Sequence, residues 1–469
     1  MGCFDVFHDV GKTLKIRGLP AGLGLRAAVI ALVAVMLAMP YVYGFDTAAA
    51  REALRADLTY LKNVLAEDGG VKLGPPNSLR AEALAGLAAA RIHLGLGDVE
   101  SLQVLDRLAE RVRGRVLTGD GIDIGFKTGV DVYENFATHL AAFQLLAAHY
   151  GLTKDRASRD AGLKVGESLE AAVGWSPHNS RAGFLILAST YSLNSGGRPE
   201  TDDVKTAVEE FDKNFYDIVA YSTAAYPNLI QSLSMLSHLM RVANAAGIEP
   251  TQELAALWTV HIDYVSNSTE VKEASDYYLA SAALTALVDA AENTHASYSS
   301  KALEEALALA EKLGKIYMVG DRILQHTHPA AYVMLIDPAI PAERVFNEYA
   351  DKRVEIVDLT LPANIARLSK LADVSALEKV LELALERAAD VQTYYRLVPG
   401  GVTSSEEFVN RQLRIQFLST VLAVERAPAA RLRSDILQII LQTQPSFLIA
   451  ATLLILLAVL NRVGVLTGD

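Results

Sequence analysis

Asp120, Asp123, Asp131 and Glu134 stand close together ahead of, and at the start of, an apolar stretch of the chain. Two carboxylates held at a suitable separation are the minimum equipment for general acid and base work on a glycosidic bond. Asp276 precedes another apolar stretch beginning at Tyr278 and holds an equivalent place. The candidate catalytic residues are therefore Asp131, Glu134 and Asp276. Acidic residues also complement the dipole at the first turn of any helix, which requires no reaction. A second set joins aromatic and polar residues at similar positions: Tyr133, Trp175, His178, Asn179, Tyr226, Asn228, Tyr277 and Tyr278. Aromatic faces beside amide and imidazole groups suit a saccharide or peptide groove. Tyrosines at helix ends equally pack between neighbouring helices. The third set is His326 and His328, which an extended segment would turn to one side as half of a metal site. Asp321 and Asp337 are the nearest further ligands, and two capping or solvent-facing histidines fit the pattern as well.

No cofactor is expected. The glycine pairs lack the strand and Lys-Ser/Thr context of a phosphate loop, and the two-histidine helix motif of zinc hydrolases is missing. Cys3 is the single cysteine and precedes the first apolar segment, so disulfides and zinc–thiolate sites are excluded from the central region. His139, His149 and His238 sit inside apolar helical stretches and read as satisfied core histidines.

The elements that must position these groups are helical. Apolar residues recur with helical rather than strand period through most of the chain. Stretches rich in small and apolar residues begin near Leu79, Phe136, Arg181, Leu229 and Tyr278, at intervals of 57, 45, 48 and 49 residues. Between them lie amphipathic stretches such as Ser101–Arg113, Asp202–Asn214 and Ala302–Lys315. An apolar inner helix alternating with an amphipathic outer one is the signature of stacked helical hairpins. Ser375–Tyr394 predicts a further amphipathic helix opened by a capping box of Ser375 and Glu378, and Thr251 and Thr403–Glu407 look like similar starts. Arg115–Lys127 alternates around Asp120-Gly121 as a hairpin would, and Glu355–Leu361 reads as a short strand ending at Pro362.

The fold class expected is all-α, with repeated helical hairpins forming an α/α toroid or a curved α-solenoid, flanked by an N-terminal and a C-terminal transmembrane helix. The hairpin rhythm, as in Asp68–Ile92, resembles the helical toroids of glycosidases and of prenyltransferases and terpene cyclases. That resemblance covers rhythm alone, carries no catalytic residue across and favours the toroid only slightly.

Two apolar segments bracket the repeats, the second carrying Arg462, which can snorkel to the interface. Residues 27–44 follow a basic tail, 1–26, and read as a signal anchor, with a cleaved signal peptide as the competing reading. Residues 445–466 open with Pro445 and run through Phe447–Leu460 as a second span, leaving a tail at 467–469. The helical-repeat domain is thus expected at 45–444. Lys12, Lys15, Arg17 and Arg26 favour an inside N-terminal tail, which puts the main domain outside the cytoplasm; Arg426, Arg431 and Arg433 pull the other way. The formal charge of −12 argues against nucleic acid as a partner. The expected partners are the lipid bilayer through two spans, and an envelope protein or a glycan ligand. Three functions follow as expectations. The first is a binding or scaffolding component of the cell envelope. The second is an anchored glycoside hydrolase or lyase. The third is an accessory subunit whose spans pack into a larger membrane complex.

Overall fold

The computed structural model describes residues 47–73, 78–118, 130–269, 271, 276–293, 298–317, 325–329, 336–340, 353–389, 395–398 and 406–426. These belong to one compact unit, residues 46–427. It is helical, as expected, with fifteen α-helices among the described residues. The expected spans at 27–44 and 445–466 lie outside the described residues. Within those residues no helix is long and apolar enough to cross a membrane.

The first helices are α1 (Thr47–Val64), α2 (Leu79–Leu96), α3 (Val99–Thr118), α4 (Val130–Thr153), α5 (Arg156–Val173) and α6 (Arg181–Asn194). They are followed by α7 (Thr201–Lys213), α8 (Phe215–Ala224), α9 (Tyr226–Ala246), α10 (Gln252–Ser268), α11 (Tyr277–Ala291) and α12 (Ser299–Tyr317). Local chemistry sets their ends. The side chains of Ser78, Asp155, Ser180 and Thr251 each accept a backbone N–H from the first turn that follows. Gly97 and Gly247 stop α2 and α9 in the left-handed conformation, at φ of 67° and 71°.

After α12 come strand β1 (Gln325–Pro329), strand β2 (Arg353–Val357), α13 (Thr360–Leu368), a 3₁₀ turn (Ser375–Leu377), α14 (Glu378–Ala389), strand β3 (Tyr395–Val398) and α15 (Glu406–Arg426). The strands form one antiparallel sheet in the order β1-β2-β3. Four local expectations differ from this. The strand read at Glu355–Leu361 ends at Val357, because Asp358 accepts the N–H groups of Thr360 and Leu361 and opens α13 with Pro362 in its first turn. Ser375 makes no capping box: its own N–H donates to Asp373, and a 3₁₀ turn precedes the α-helix. Arg115–Thr118 are the last turn of α3 rather than a hairpin arm, and residues 119–129 lie outside the described set. The helix expected to open near Phe136 already runs from Val130.

The predicted alternation holds in the packing. Seven helices follow one another in contact, the first five of them mostly apolar: α2 with α4, α4 with α6, α6 with α9, α9 with α11, α11 with α13, and α13 with α15. Helix α15 packs in turn against both α2 and α1. The amphipathic helices lie over the joints of this series: α3 on α2 and α4, α5 on α4 and α6, α7 on α6 and α9, and α10 on α9 and α11. Helix α12 covers α11 and α13, and α14 covers α13 and α15. The α1–α15 contact is pinned by Asp57, fully buried, which accepts from Arg411 at 2.7 Å and from Arg414 through two nitrogens.

Candidate functional site

Helices α9, α11, α13 and α15 line a cavity of about 440 Å³, together with His178 and the Val357–Leu359 link into α13. Helical spacing explains which side chains reach it. Helix α11 presents Tyr278, Ser281, Ala282 and Thr285, and α13 presents Thr360, Ala363, Asn364 and Arg367. From α15 come Leu413, Gln416, Phe417 and Thr420. Each set follows i, i+3, i+4, i+7, one face of a helix. Small residues on α11 and α13 leave the space, and the wall alternates apolar and hydrogen-bonding groups.

A charged network supports this wall from behind. Arg367 donates from Nε to Glu292 at 2.9 Å, from one terminal nitrogen to Asp289 at 2.5 Å and from the other to Asn364 at 3.4 Å. Asp289 also accepts from Ser234 at 2.5 Å, and Glu292 from Arg241 at 3.0 Å. Asn364 donates to Thr285 at 2.9 Å, which ties α13 to α11 inside the cavity wall. Burial by itself would raise the Glu292 carboxyl; Arg367 and Arg241 overrule it and hold the group at about 2. Burial pushes the Lys370 amine down to about 8, and Glu292 only partly restores it against the two guanidiniums.

Asp358 is the carboxylate that lines the cavity itself. It accepts the Tyr277 hydroxyl at 2.8 Å as well as the Thr360 N–H at 2.7 Å, and its carbonyl accepts the Tyr317 hydroxyl at 2.9 Å. Its work is to cap α13 and fix the wall. Asp289, Glu292 and Asp358 are thus each committed to partners within the protein.

On the opposite side, His178 lies 3.0 Å through Nε2 from the Gln231 carbonyl, which can only accept, so the proton sits on Nε2. Burial lowers its pKa to about 4, which leaves the ring neutral with Nδ1 as an acceptor. The Gln231 side-chain oxygen accepts the Tyr221 hydroxyl at 2.5 Å, leaving its Nε2 as the donor end of the amide. Ser281 is only 4% exposed, and its enclosed hydroxyl has no hydrogen-bond partner among the described residues.

The candidate residues read from sequence are distributed as follows. His178 lines the cavity, as does Tyr278. Tyr277 lies behind the wall, fully buried, holding Asp358. Asn179 is buried and accepts from Ser176, while Trp175 packs edge-on against Phe211 at 5.8 Å. The Tyr226 hydroxyl bonds Thr269, and Asn228 is half-buried in the first turn of α9. Asp276 is the partly exposed N-terminal cap of α11 and does not line the cavity. Asp131, Tyr133 and Glu134 occupy the first turn of α4, and their side chains lie outside the described residues. His326 and His328 sit on β1 opposite Ile356 and Val354, again with side chains outside the described set. Among the described residues no group of three or more His, Cys, Asp or Glu could hold a metal ion.

The sequence reading missed Ser281, Thr285 and Asp289, although polar residues at i, i+4 and i+8 in the otherwise apolar α11 mark one special face. It also missed Asn364 and Arg367, which follow the segment read as a strand and were assigned to no element. No family model, curated protein or solved structure matches this chain.

Proposed function

We propose that unit 46–427 is an α/α toroid that binds a small ligand in the cavity between α9, α11, α13 and α15. On this reading the chain is a binding or scaffolding component of the cell envelope, held in the bilayer by the segments 27–44 and 445–466, with its helical unit outside the cytoplasm. The sequential contact of seven inner helices, with α15 returning to α2, favours a toroid over an open solenoid. The observation that carries the binding reading is the commitment of Asp289, Glu292, Asp358 and Arg367 to protein partners around a cavity whose remaining polar groups are uncharged. Such a wall recognises a molecule without supplying the acid and base that would cleave it.

The test uses the full-length chain in nanodiscs, screened by thermal shift against a library of small metabolites and envelope glycan fragments. A stabilising ligand whose effect is abolished by Ala282→Trp, which fills the cavity from α11, supports the proposal. Turnover of a bound glycan that disappears in Asp131→Asn or Glu134→Gln would replace it with the carbohydrate-active enzyme. Release of the chain from membranes by alkaline carbonate would remove the anchors from the reading.

A further inference from the structure

We infer that the ligand of this cavity is a water-soluble molecule admitted through the pole of the helical unit where the inner helices begin, and not a lipid drawn in through the pole that carries both chain ends. This inference rests on the cavity being a ligand site on an anchored chain, and it adds the route of entry and the phase the ligand comes from.

Residues that bond at matching heights define the two poles. Near the helix starts, the Tyr277 hydroxyl donates to Asp358 at 2.8 Å, and His178, just ahead of α6, bonds the Gln231 carbonyl of α9 at 3.0 Å. Near the helix ends, Arg241 donates to Asn194 at 2.8 Å and to Glu292 at 3.0 Å, and Arg367 to Glu292 at 2.9 Å. The Lys370 amine lies 3.5 Å from the Ala423 carbonyl. Helices α6, α9, α11, α13 and α15 therefore run parallel, and polar contacts lace their ends together.

The cavity is graded along the same axis. Tyr278 and Thr360, at the starts of α11 and α13, line it and are exposed. So are Gln231, in the second turn of α9, and Gln416, midway along α15. Thr285, Arg367 and Thr420, nearer the ends of their helices, are half-buried, and the laced pole lies beyond them. The additions to the helical repeat fall on the open side. Connections 119–129, 318–359 and 390–405 lead into the starts of α4, α13 and α15, and the last two carry the three strands. At the opposite pole α2 and α4 reach their next helices through Gly97-Asp98 and Lys154-Asp155 alone. Repeat proteins that gather their insertions on one face often bind there.

Both ends of the helical unit lie at the laced pole. Thr47 donates to Glu425 at 3.2 Å and Arg51 to the same carboxylate at 2.6 Å, in the last turn of α15. Residues 45 and 46 alone separate Thr47 from the segment 27–44, a reach of about 10 Å. On the anchored reading this pole is therefore the one tied to the bilayer. A lipid tail entering there would part Arg367, Glu292 and Arg241 and offer them no hydrogen bond in exchange. A soluble molecule entering at Tyr278 and Thr360 disturbs none of these pairs.

The test uses the full-length chain with Cys3→Ser, so that each variant carries a single cysteine, in phosphatidylcholine nanodiscs doped with a maleimide-headed phosphatidylethanolamine. A soluble cationic methanethiosulfonate is the second reagent. Val99→Cys, exposed where α3 leaves the laced pole, should take up the maleimide lipid, and Ala282→Cys, in the cavity wall, should not. The soluble reagent should modify Ala282→Cys, and adding Thr360→Trp at the opening should abolish that modification. Gln231→Trp, on the facing wall, replaces Thr360→Trp if the latter alters the circular-dichroism spectrum. Uptake of the maleimide lipid by Ala282→Cys overturns the inference and keeps the cavity as a site open to lipid. Modification by the soluble reagent that survives a tryptophan at the opening also overturns it, because the entrance then lies elsewhere. Resistance of Ala282→Cys to both reagents overturns the ligand site as well. Absence of lipid uptake even at Val99→Cys overturns the placing of this pole at the bilayer.

Discussion

The inner helices from α2 to α6 and those from α9 to α15 are built from similar residues and packed for different ends. Between α2, α4 and α6 the backbones approach closely, and glycines make that possible. A Cβ added at Gly86 would stand 2.6 Å from Leu145 Cδ1, and one at Gly151 would strike the Ala188 carbonyl. Helix α2 is buried on nearly every side. Between α9, α11, α13 and α15 the small residues Ala282, Ala286 and Ala363 face a cavity instead. Ionic partners tie two of that side's walls together: Arg367 of α13 reaches Asp289 of α11 and Glu292 at the C-terminal end of that helix. The lesson is that a small residue in an inner helix has two meanings. It either lets two helices touch or leaves room for something else, and only the neighbours decide.

The comparison can be broken first at the ion pairs. Asp57→Ala leaves Arg411 and Arg414 without their buried partner where α15 meets α1, and should cost about 3–5 kcal/mol in denaturant unfolding. Replacing Asp57 and Arg414 together by Leu and Met should cost less than Asp57→Ala alone, since no buried charge is then orphaned at Arg414.

Arg367→Met should cost about 3 kcal/mol at neutral pH, because two carboxylates lose a counter-ion. It should also change the acid response. In the native protein Glu292 titrates at about 2, below its ordinary value of 4.5. Its contribution is therefore present above about pH 4.5 and is lost as pH falls toward 2. Removing Arg367 raises the carboxyl, so the acid unfolding midpoint should move to higher pH in a circular-dichroism titration.

A matched pair of small-to-large changes sharpens the contrast itself. Gly151→Ala gains about 1 kcal/mol of helix propensity but meets backbone, and overpacking of about 1–3 kcal/mol should leave a net loss by thermal unfolding. Ala282→Val, facing open space, should change stability by about 0.5 kcal/mol or less. Equal losses at both positions would dissolve the distinction.

The smallest effect expected is at His178. Its pKa is depressed from 6.5 to about 4, so its contribution to stability is intact above pH 6.5 and is lost as pH falls toward 4. His178→Gln should flatten part of the Tm slope in that window. His149, His238 and His261 are also lowered by burial and add to the slope in the same direction.

Much of the fold was legible because its signals are local. Ser78, Ser180 and Thr251 cap the helices they precede, and the inner helices at Leu79, Arg181 and Tyr277 begin within a residue of where the apolar pattern turns on. Where a rival cap stood nearby, the reading failed. Asp358 turned the end of an apparent strand into α13, and Asp373 accepts the N–H of Ser375 at a 3₁₀ turn where Ser375 was read as a cap. The cavity was legible only in part. His178 and Tyr278 announce themselves as unusual residues at helix starts. Ser281, Asn364 and Arg367 do not, since a serine, an asparagine or an arginine in a helix ordinarily faces water.

The sequence by itself determined the helical alternation, because burying one face at a period of 3.6 residues is a property of neighbouring positions. It also determined the capped starts and the absence of disulfides from the helical unit. Tertiary structure decided that α15 meets α2, that Arg367 finds Asp289 across 78 positions and that the Ser281 hydroxyl is enclosed without a partner among the described residues. Each of these depends on which distant helices share a wall. A pairing between distant segments leaves no period in the chain from which it could be read.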